Sequence, residues 1–453
     1  MSDSYAAART ALERHFGFTD FRPAQAPVIR SILSGRDTLA VLPTGGGKSI
    51  CFQVPALLST GVTLVVSPLI SLMQDQVRGA ARRGIPAAAL HSALSAQETA
   101  AVLADVAAGR IRLLYTSPER LPRAVADVVM QGSTIARLAV DEAHCISEWG
   151  HDFRPEFRAI GRIRKTLGWP QTIAFTGSAT PGVRADIVEV LHLGRTGVAR
   201  GAADIHLASF DRPNLWFGVH RVRSEAARLA ALLAELVRGE TSIVYAPTRK
   251  STESLTLALR NAGHHARPYH AGLDAETRAK ILDDFLADKF GVVVATSAFG
   301  MGIDKPGVRR VVHWTMPPTP EAYYQEAGRA GRDGAPARCT LLLRRGDASL
   351  HRRQLDVTFP PRRMLEGLWR GTQDPRRVAP AIRESAERLR AELRPERGPV
   401  DWRRITRRRA TTDARIGSME HYASTWRCRR RNLLGYFGER LAHCSGCDRC
   451  RRG

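Results

Sequence analysis

Along residues 38–350, short apolar runs rich in β-branched residues alternate with longer stretches whose apolar positions recur every three or four residues. The runs fall at 38–42, 63–66, 112–115, 138–140, 172–175, 242–245, 291–295, 308–313 and 339–343. Most are followed by a turn signal and then a helix-like segment, as at 69–78 and 252–261. Strands that lack polar alternation suit burial on both faces, and strand–helix alternation predicts parallel sheets covered by helices on each side. These units are too many for one small domain, and a break near Phe210-Asp-Arg-Pro-Asn-Leu divides them into two similar halves. Beyond Gly346 the pattern changes to Arg-rich helical segments, including 380–393. The expected architecture is α/β: two tandem parallel-sheet domains, 1–207 and 208–346, followed by a mainly helical module, 347–453.

Composition agrees with a globular chain. Of 453 residues, 43% are apolar and 25% charged, which excludes global disorder. No run of 18 apolar residues occurs, and the first residues lack a basic-then-apolar leader, so a cytoplasmic protein is expected, neither membrane-spanning nor secreted. The charge adds a partner. Sixty-eight Lys and Arg against 44 Asp and Glu give +24, pointing to a polyanion and most simply to nucleic acid. Only six of the cations are Lys, a skew that coding bias could produce, but coding bias does not fix net charge. From Arg344 onward there are 28 Arg and 13 acidic residues, so this last quarter carries +15 of the +24.

The strongest local motif is Pro43-Thr-Gly-Gly-Gly-Lys-Ser49, between an apolar run and a helix-like segment. Glycines let backbone N–H groups wrap phosphates at a helix N-terminus whose dipole favours anions. Thr44, Gly45, Gly46 and Gly47 would form the cradle; Lys48 would reach the β/γ-phosphates of ATP, and the Ser49 hydroxyl would hold Mg²⁺. Leu42 stands where the strict pattern has Gly. About ninety residues later Asp141-Glu-Ala-His144 follows another apolar run. A carboxylate at a strand end can hold Mg²⁺, and the adjacent Glu142 can position or deprotonate the attacking water.

Taken together these residues resemble the superfamily-two helicases. The run Asp141-Glu-Ala-His-Cys-Ile-Ser-Glu-Trp-Gly-His-Asp-Phe-Arg-Pro-Glu-Phe157 closely resembles the second motif and aromatic-rich loop of RecQ DNA helicases. Upstream, Phe16-Gly-Phe-Thr-Asp-Phe-Arg-Pro-Ala-Gln25 resembles that family's adenine-gripping motif. The resemblance implies that Phe18 stacks on the base, Gln25 reads its edge and Arg22 supports the nucleotide. The segments 66–76 and 115–120 look like strand-contacting motifs, and Thr176-Gly-Ser-Ala-Thr180 stands where hydrolysis is coupled to movement, with Gly177-Ser178 replacing the usual Ala-containing core. The segment 292–306 is similar to the fifth RecQ motif and Tyr324-Gln-Glu-Ala-Gly-Arg-Ala-Gly-Arg-Asp-Gly334 to the sixth. By this resemblance His144, Arg329 and Arg332 join Lys48, Asp141 and Glu142 in the catalytic set, and Asp304 joins the nucleotide contacts. Two arginines three apart would share a face if helical, and guanidinium groups can stabilise charge on a transferring phosphoryl group. In the aromatic-rich loop, Trp149, Phe153 and Phe157 interleave with His151 and Arg154, offering stacking faces beside cations for a single strand, with core packing as the alternative.

Of seven cysteines, Cys51, Cys145 and Cys339 are scattered, as inert core thiols are. Cys428, Cys444, Cys447 and Cys450 have tetrathiolate spacing suited to Zn²⁺, with a disulfide pair as the alternative outside a reducing compartment. Cys428-Arg-Arg-Arg-Asn-Leu-Leu-Gly-Tyr-Phe-Gly-Glu439 extends the resemblance, which covers almost the whole chain except about 350–415. That segment is either a basic helical element that touches duplex DNA or a solvated linker. No winged-helix or terminal helical domain is expected after Cys450.

The resemblance therefore implies two RecA-like domains and a zinc module. They would form an ATP- and Mg²⁺-dependent 3′-to-5′ DNA helicase that moves along single-stranded DNA and unwinds tailed or branched duplexes in repair or recombination, as a monomer by default. The alternatives are an ATPase or translocase that unwinds weakly, an RNA helicase of related architecture, and a non-enzymatic zinc-containing DNA-binding protein.

Overall fold

Strands that must be buried on both faces are built here from Val, Ile, Leu and Ala, and they assemble into two separate parallel sheets. The computed structural model describes residues 2–43, 45–150, 152–196, 199–300, 305–393 and 400–450. It divides into two compact units, 1–210 with 437–439, and 211–436 with 440–453.

The first unit holds β1 (Thr38–Val41), β2 (Val62–Val66), β3 (Ala87–Leu90), β4 (Leu113–Thr116), β5 (Ile135–Val140), β6 (Gln171–Thr176), a short hairpin of β7 (Arg195–Thr196) and β8 (Ala199–Arg200), and β9 (Asp204–Leu207). Seven of them form one sheet in the order β3-β4-β2-β5-β6-β1-β9, with every pair parallel. All residues of β1, β2, β4 and β6 are buried. The helix Lys48–Leu57 lies against this sheet and buries Cys51, Phe52, Val54 and Ala56 in the same cluster as Ala40, Val65, Ile173 and Phe175. Arg164, wholly buried, ties the unit together by bonding Asp37 at 2.5 Å and the carbonyls of Leu191 and His192 at 2.7 Å each.

In the second unit β10 (Leu215–Val222), β11 (Thr241–Tyr245), β12 (Ala266–Tyr269), β13 (Val292–Ala295), β14 (Val308–His313) and β15 (Ala337–Arg344) form a parallel sheet in the order β10-β15-β14-β11-β13-β12. Helices Asp347–Thr358, Arg362–Arg370, Pro380–Leu393, Trp402–Ser424 and Arg429–Tyr436 follow within the same unit. Around Trp369 three of them meet: its ring stacks on Trp402 at 5.4 Å and its indole N–H donates to the Ala386 carbonyl at 3.0 Å.

All nine apolar runs are strands. Within the two parallel sheets four strands carry no such run: β3, β9, β10 and β12. These are the four edges of the two sheets. An edge strand has one neighbour and less cover, so its sequence need not be continuously apolar, and β12 even contains Pro268, whose missing N–H an edge tolerates.

Candidate functional site

Parallel strands bring their C-terminal ends to one edge of a sheet, and ligands bind there. In the first unit that edge gathers the loop after β1, Ser67 and Pro68 after β2, Ser92 beyond β3, Ser117 after β4, Asp141 after β5 and Gly177 after β6. The loop after β1 turns through left-handed conformations at Gly45 (φ +80°) and Gly47 (φ +73°) and enters the helix at Lys48. Gln25 clamps it: its amide N–H groups donate to the carbonyls of Gly46 (3.1 Å) and Gly47 (3.2 Å), while its amide oxygen accepts from the Arg22 backbone N–H at 2.9 Å. The Arg22 guanidinium donates to the Gly45 carbonyl at 2.7 Å. A Cβ on Gly47 would lie 2.3 Å from the Gln25 amide nitrogen, so glycine is required there by contact as well as by φ. Phe18, nearby in sequence, is half-exposed.

Lys48 projects from the first turn of its helix to within 3.9 Å of the Glu142 carboxylate. Glu142 adopts a left-handed conformation (φ +48°), rare for a residue with a side chain, and its N–H donates to the Asp141 carboxylate at 2.9 Å. Burial, and next the neighbouring Glu142 charge, push the Asp141 carboxyl up to about 6, while Lys48 pulls it down. A buried carboxyl held above its ordinary range is a suitable oxygen ligand for a hard cation, whose charge would favour the ionised form.

His144 is fully buried, with Nδ1 3.0 Å from the Thr176 hydroxyl and 3.3 Å from Glu142. The Thr176 hydroxyl in turn accepts from the Ser178 N–H at 3.3 Å. One imidazole thereby joins the carboxylates after β5 to the loop after β6. In the aromatic-rich loop, Ser147 receives the Trp149 N–H at 3.2 Å, and Arg154 donates to the Pro68 carbonyl at 2.7 Å and to Asp152 at 3.4 Å. Trp149 and Phe153 are half-buried. Phe157 corrects the sequence reading: it is wholly buried in a 3₁₀ turn, so its ring fills the core and offers no face to a base. Beside the loop lies a cleft of about 580 Å³ lined by Pro68, Ser71, Ser92, Ser117, Glu119 and Arg120. Ser92 was not legible in the sequence, because it follows the unrecognised edge strand β3. Thr44, His151 and Asp304 lie outside the described residues.

In the second unit Arg329 and Arg332 do not share a helical face. Their helix, Pro320–Ala327, ends before them, and Gly331 between them is left-handed (φ +54°). That turn is held from below, where Arg212 donates to the Ala330 and Gly331 carbonyls and Asn214 to those of Gly331 and Ala335. Arg329 is buried. The hydroxyl of Tyr245, the last residue of β11, donates to the Phe299 carbonyl at 2.9 Å, and burial drives that phenol far above its ordinary range, with the Arg329 and Arg332 charges opposing the rise. Arg332 is half-buried.

The sulfurs of Cys428, Cys444, Cys447 and Cys450 all lie within 4.8 Å of one another, and Cys447 is 3.9 Å from Cys428. Four thiolates about 2.3 Å from a tetrahedral Zn²⁺ would stand about 3.8 Å apart, so the set fits zinc. Burial works against ionising Cys447, but backbone N–H groups of Arg429, Arg449 and Cys450 outweigh it and hold the thiol below its ordinary range, whereas burial and the neighbouring thiols hold Cys444 and Cys450 above theirs. The loop is seated by two buried arginines. Arg429 bonds Asp448 at 3.0 Å and the Tyr422 carbonyl at 2.5 Å, and Arg430 bonds Asp211 and the Arg212 and Leu215 carbonyls. Cys447 bridges to Phe217, and the Asp448 N–H donates to the Phe217 carbonyl at 3.0 Å, so the zinc loop covers the free edge of β10.

The chain matches the family models described as DEAD/DEAH box helicase (residues 22–187), Helicase conserved C-terminal domain (225–334) and RecQ zinc-binding (383–451). It is 43% identical over 75% of its length to the probable ATP-dependent DNA helicase RecS of Bacillus subtilis, of which it covers 67%. It is 35% identical over 98% of its length to the ATP-dependent DNA helicase RecQ of Pasteurella multocida, of which it covers 62%. The chain thus spans about two thirds of the length of these curated relatives. Among solved structures, the Mycobacterium smegmatis helicase Lhr bound to ssDNA and AMP-PNP superposes with a TM-score of 0.56 at 20% identity, covering 92% of this chain and 57% of that one. The helicase MrfA bound to DNA and AMPPNP gives 0.61 at 19% identity, covering 77% and 52%; these two likenesses concern the fold.

Proposed function

The chain belongs to the RecQ helicase family, and from that premise we propose that it is a 3′-to-5′ DNA helicase that hydrolyses ATP to move along one strand. The observation that carries this reading is the approach of Lys48 to Glu142 beside the strand-end carboxylate Asp141. In it, Lys48 neutralises the terminal phosphates of ATP, and Glu142 orients the attacking water and takes its proton. Mg²⁺, held by Ser49 and Asp141, would neutralise phosphate charge. Phe18, Arg22 and Gln25 meet the base side of the nucleotide. His144 relays the state of the carboxylates to Thr176 and so to the loop after β6. Trp149, Phe153 and Arg154 hold the strand, by stacking and charge. Zn²⁺ on the four cysteines has a structural task, fixing the loop against β10.

ATP turnover with and without single-stranded DNA, and displacement from 3′-tailed and 5′-tailed duplexes, tests the reading. Displacement confined to 3′-tailed substrates is expected. Stimulated turnover without displacement would mark a translocase instead, and a substrate preference for branched DNA would support the repair role.

Among the described residues no helix is long and apolar enough to cross a membrane.

A further inference from the structure

Aromatic side chains in this protein are buried or half-buried, with two exceptions among the described residues: Phe18, and Trp426 at 78% exposed. Phe18 belongs to the nucleotide site. Trp426 belongs to no site described so far. It stands in the four-residue connector between helices Trp402–Ser424 and Arg429–Tyr436, two residues before the zinc ligand Cys428. The connector is fixed at its start, where the Thr425 N–H donates to the His421 carbonyl at 2.8 Å and the Arg427 N–H to the Thr425 hydroxyl at 3.2 Å. The indole is therefore presented to water by an ordered backbone next to a metal-fixed loop. A cation neighbour is Arg427, whose guanidinium carbon is 5.7 Å from the ring centroid.

The surroundings select the kind of partner. Arg427, Arg431, Arg440 and Arg449 are exposed, whereas Arg429 and Arg430 are buried and matched by Asp448 and Asp211. Zn²⁺ with four thiolates carries two net negative charges, fewer than the four exposed arginines supply. An exposed aromatic face among exposed arginines is what unpaired nucleic acid requires: stacking for a base, charge for its backbone.

We infer that Trp426 and Arg427 form a stacking platform for one unpaired base of a DNA strand whose phosphates are met by the exposed arginines around the zinc loop, a contact separate from the aromatic-rich loop. The inference rests on the strand-binding function proposed above.

Fluorescence anisotropy of the zinc-loaded full chain tests it with two labelled strands of equal length, oligothymidylate and its abasic counterpart. Trp426→Ala should weaken oligothymidylate binding about 5- to 10-fold, as loss of one stacked base does. Trp426→Phe should stay within about twofold of the parent protein, as a retained stacking face allows. All three proteins should bind the abasic strand equally, with unchanged zinc content and DNA-free ATP turnover. Equal binding of oligothymidylate by Trp426→Ala and the parent protein, or an equal loss on both strands, would overturn the platform while leaving the motor reading intact. A parent protein that binds neither strand would overturn both.

Discussion

The Nδ1 of His144 lies 3.0 Å from the hydroxyl of Thr176, so the carboxylates that would handle ATP and the loop after β6 share one buried imidazole. Glu142, at 3.3 Å, is the other neighbour of the same nitrogen. A group in this position acts through others and does not bind nucleotide. His144→Ala and Thr176→Val should each lower DNA-stimulated kcat by roughly 10- to 100-fold, the scale of a displaced catalytic group, with KM for ATP nearly unchanged. Steady-state turnover at saturating DNA checks this; a raised KM with normal kcat would contradict it.

Gln25 and Gly47 make a second paired prediction. Gly47→Ala places a methyl group against the Gln25 amide and strains a left-handed backbone. Nucleotide affinity should fall by about tenfold or more, since the strain alone costs roughly 1–2 kcal/mol. Adding Gln25→Ala removes the collision but not the strain and should restore part of the folding stability without restoring nucleotide binding. Nucleotide titration and thermal unfolding of the single and double variants separate the two effects.

Three cysteines are scattered in the interior and four are clustered at one site. Burial raises the thiols of Cys51 and Cys339 to about 12 and holds Cys145 well above its ordinary range. The reactive species is the thiolate, so a rise from 9.0 to about 12 lowers its fraction at pH 8 by about a thousandfold. A maleimide at pH 8 should leave these three unlabelled in the native, zinc-loaded protein. After chelation it should label Cys428, Cys444, Cys447 and Cys450, and mass spectrometry of the peptides would identify the sites. Labelling of Cys51 before chelation would contradict the burial argument.

Arg164 and Asp37 are both wholly buried and 2.5 Å apart, with the remaining guanidinium N–H groups spent on backbone carbonyls. Burial lowers the Arg164 pKa, and Asp37 raises it again. Removing one partner strands a buried charge. Arg164→Leu should destabilise the first unit by roughly 3–5 kcal/mol, and the double change with Asp37→Leu by less than the sum of the two single changes. Urea denaturation of the four proteins measures the coupling.

The sheets were legible in the sequence where their strands are central, because burial on both faces demands the unbroken runs seen in β1, β2, β4 and β13. The four edges escaped because each has a single strand neighbour: β9 reads Asp-Ile-His-Leu, and β3 is mostly alanine. The nucleotide loop and the four cysteines were legible because their chemistry fixes both residue type and spacing. Phe157 was misread as a stacking face because an aromatic spacing does not reveal which rings turn inward. Arg329 and Arg332 looked like one helical face, but Gly331 breaks the helix between them. The clamp of Gln25 on Gly46 and Gly47 depends on a contact across more than twenty residues, which no local pattern encodes.

The central claim is that Lys48, Asp141 and Glu142 drive movement along DNA. It is tested most directly by ATP turnover and strand displacement on a 3′-tailed duplex, with Lys48→Ala in parallel. The account predicts turnover stimulated by single-stranded DNA, displacement of the 3′-tailed duplex, and loss of both in Lys48→Ala. Turnover that DNA does not stimulate, or that survives loss of Lys48, would contradict it.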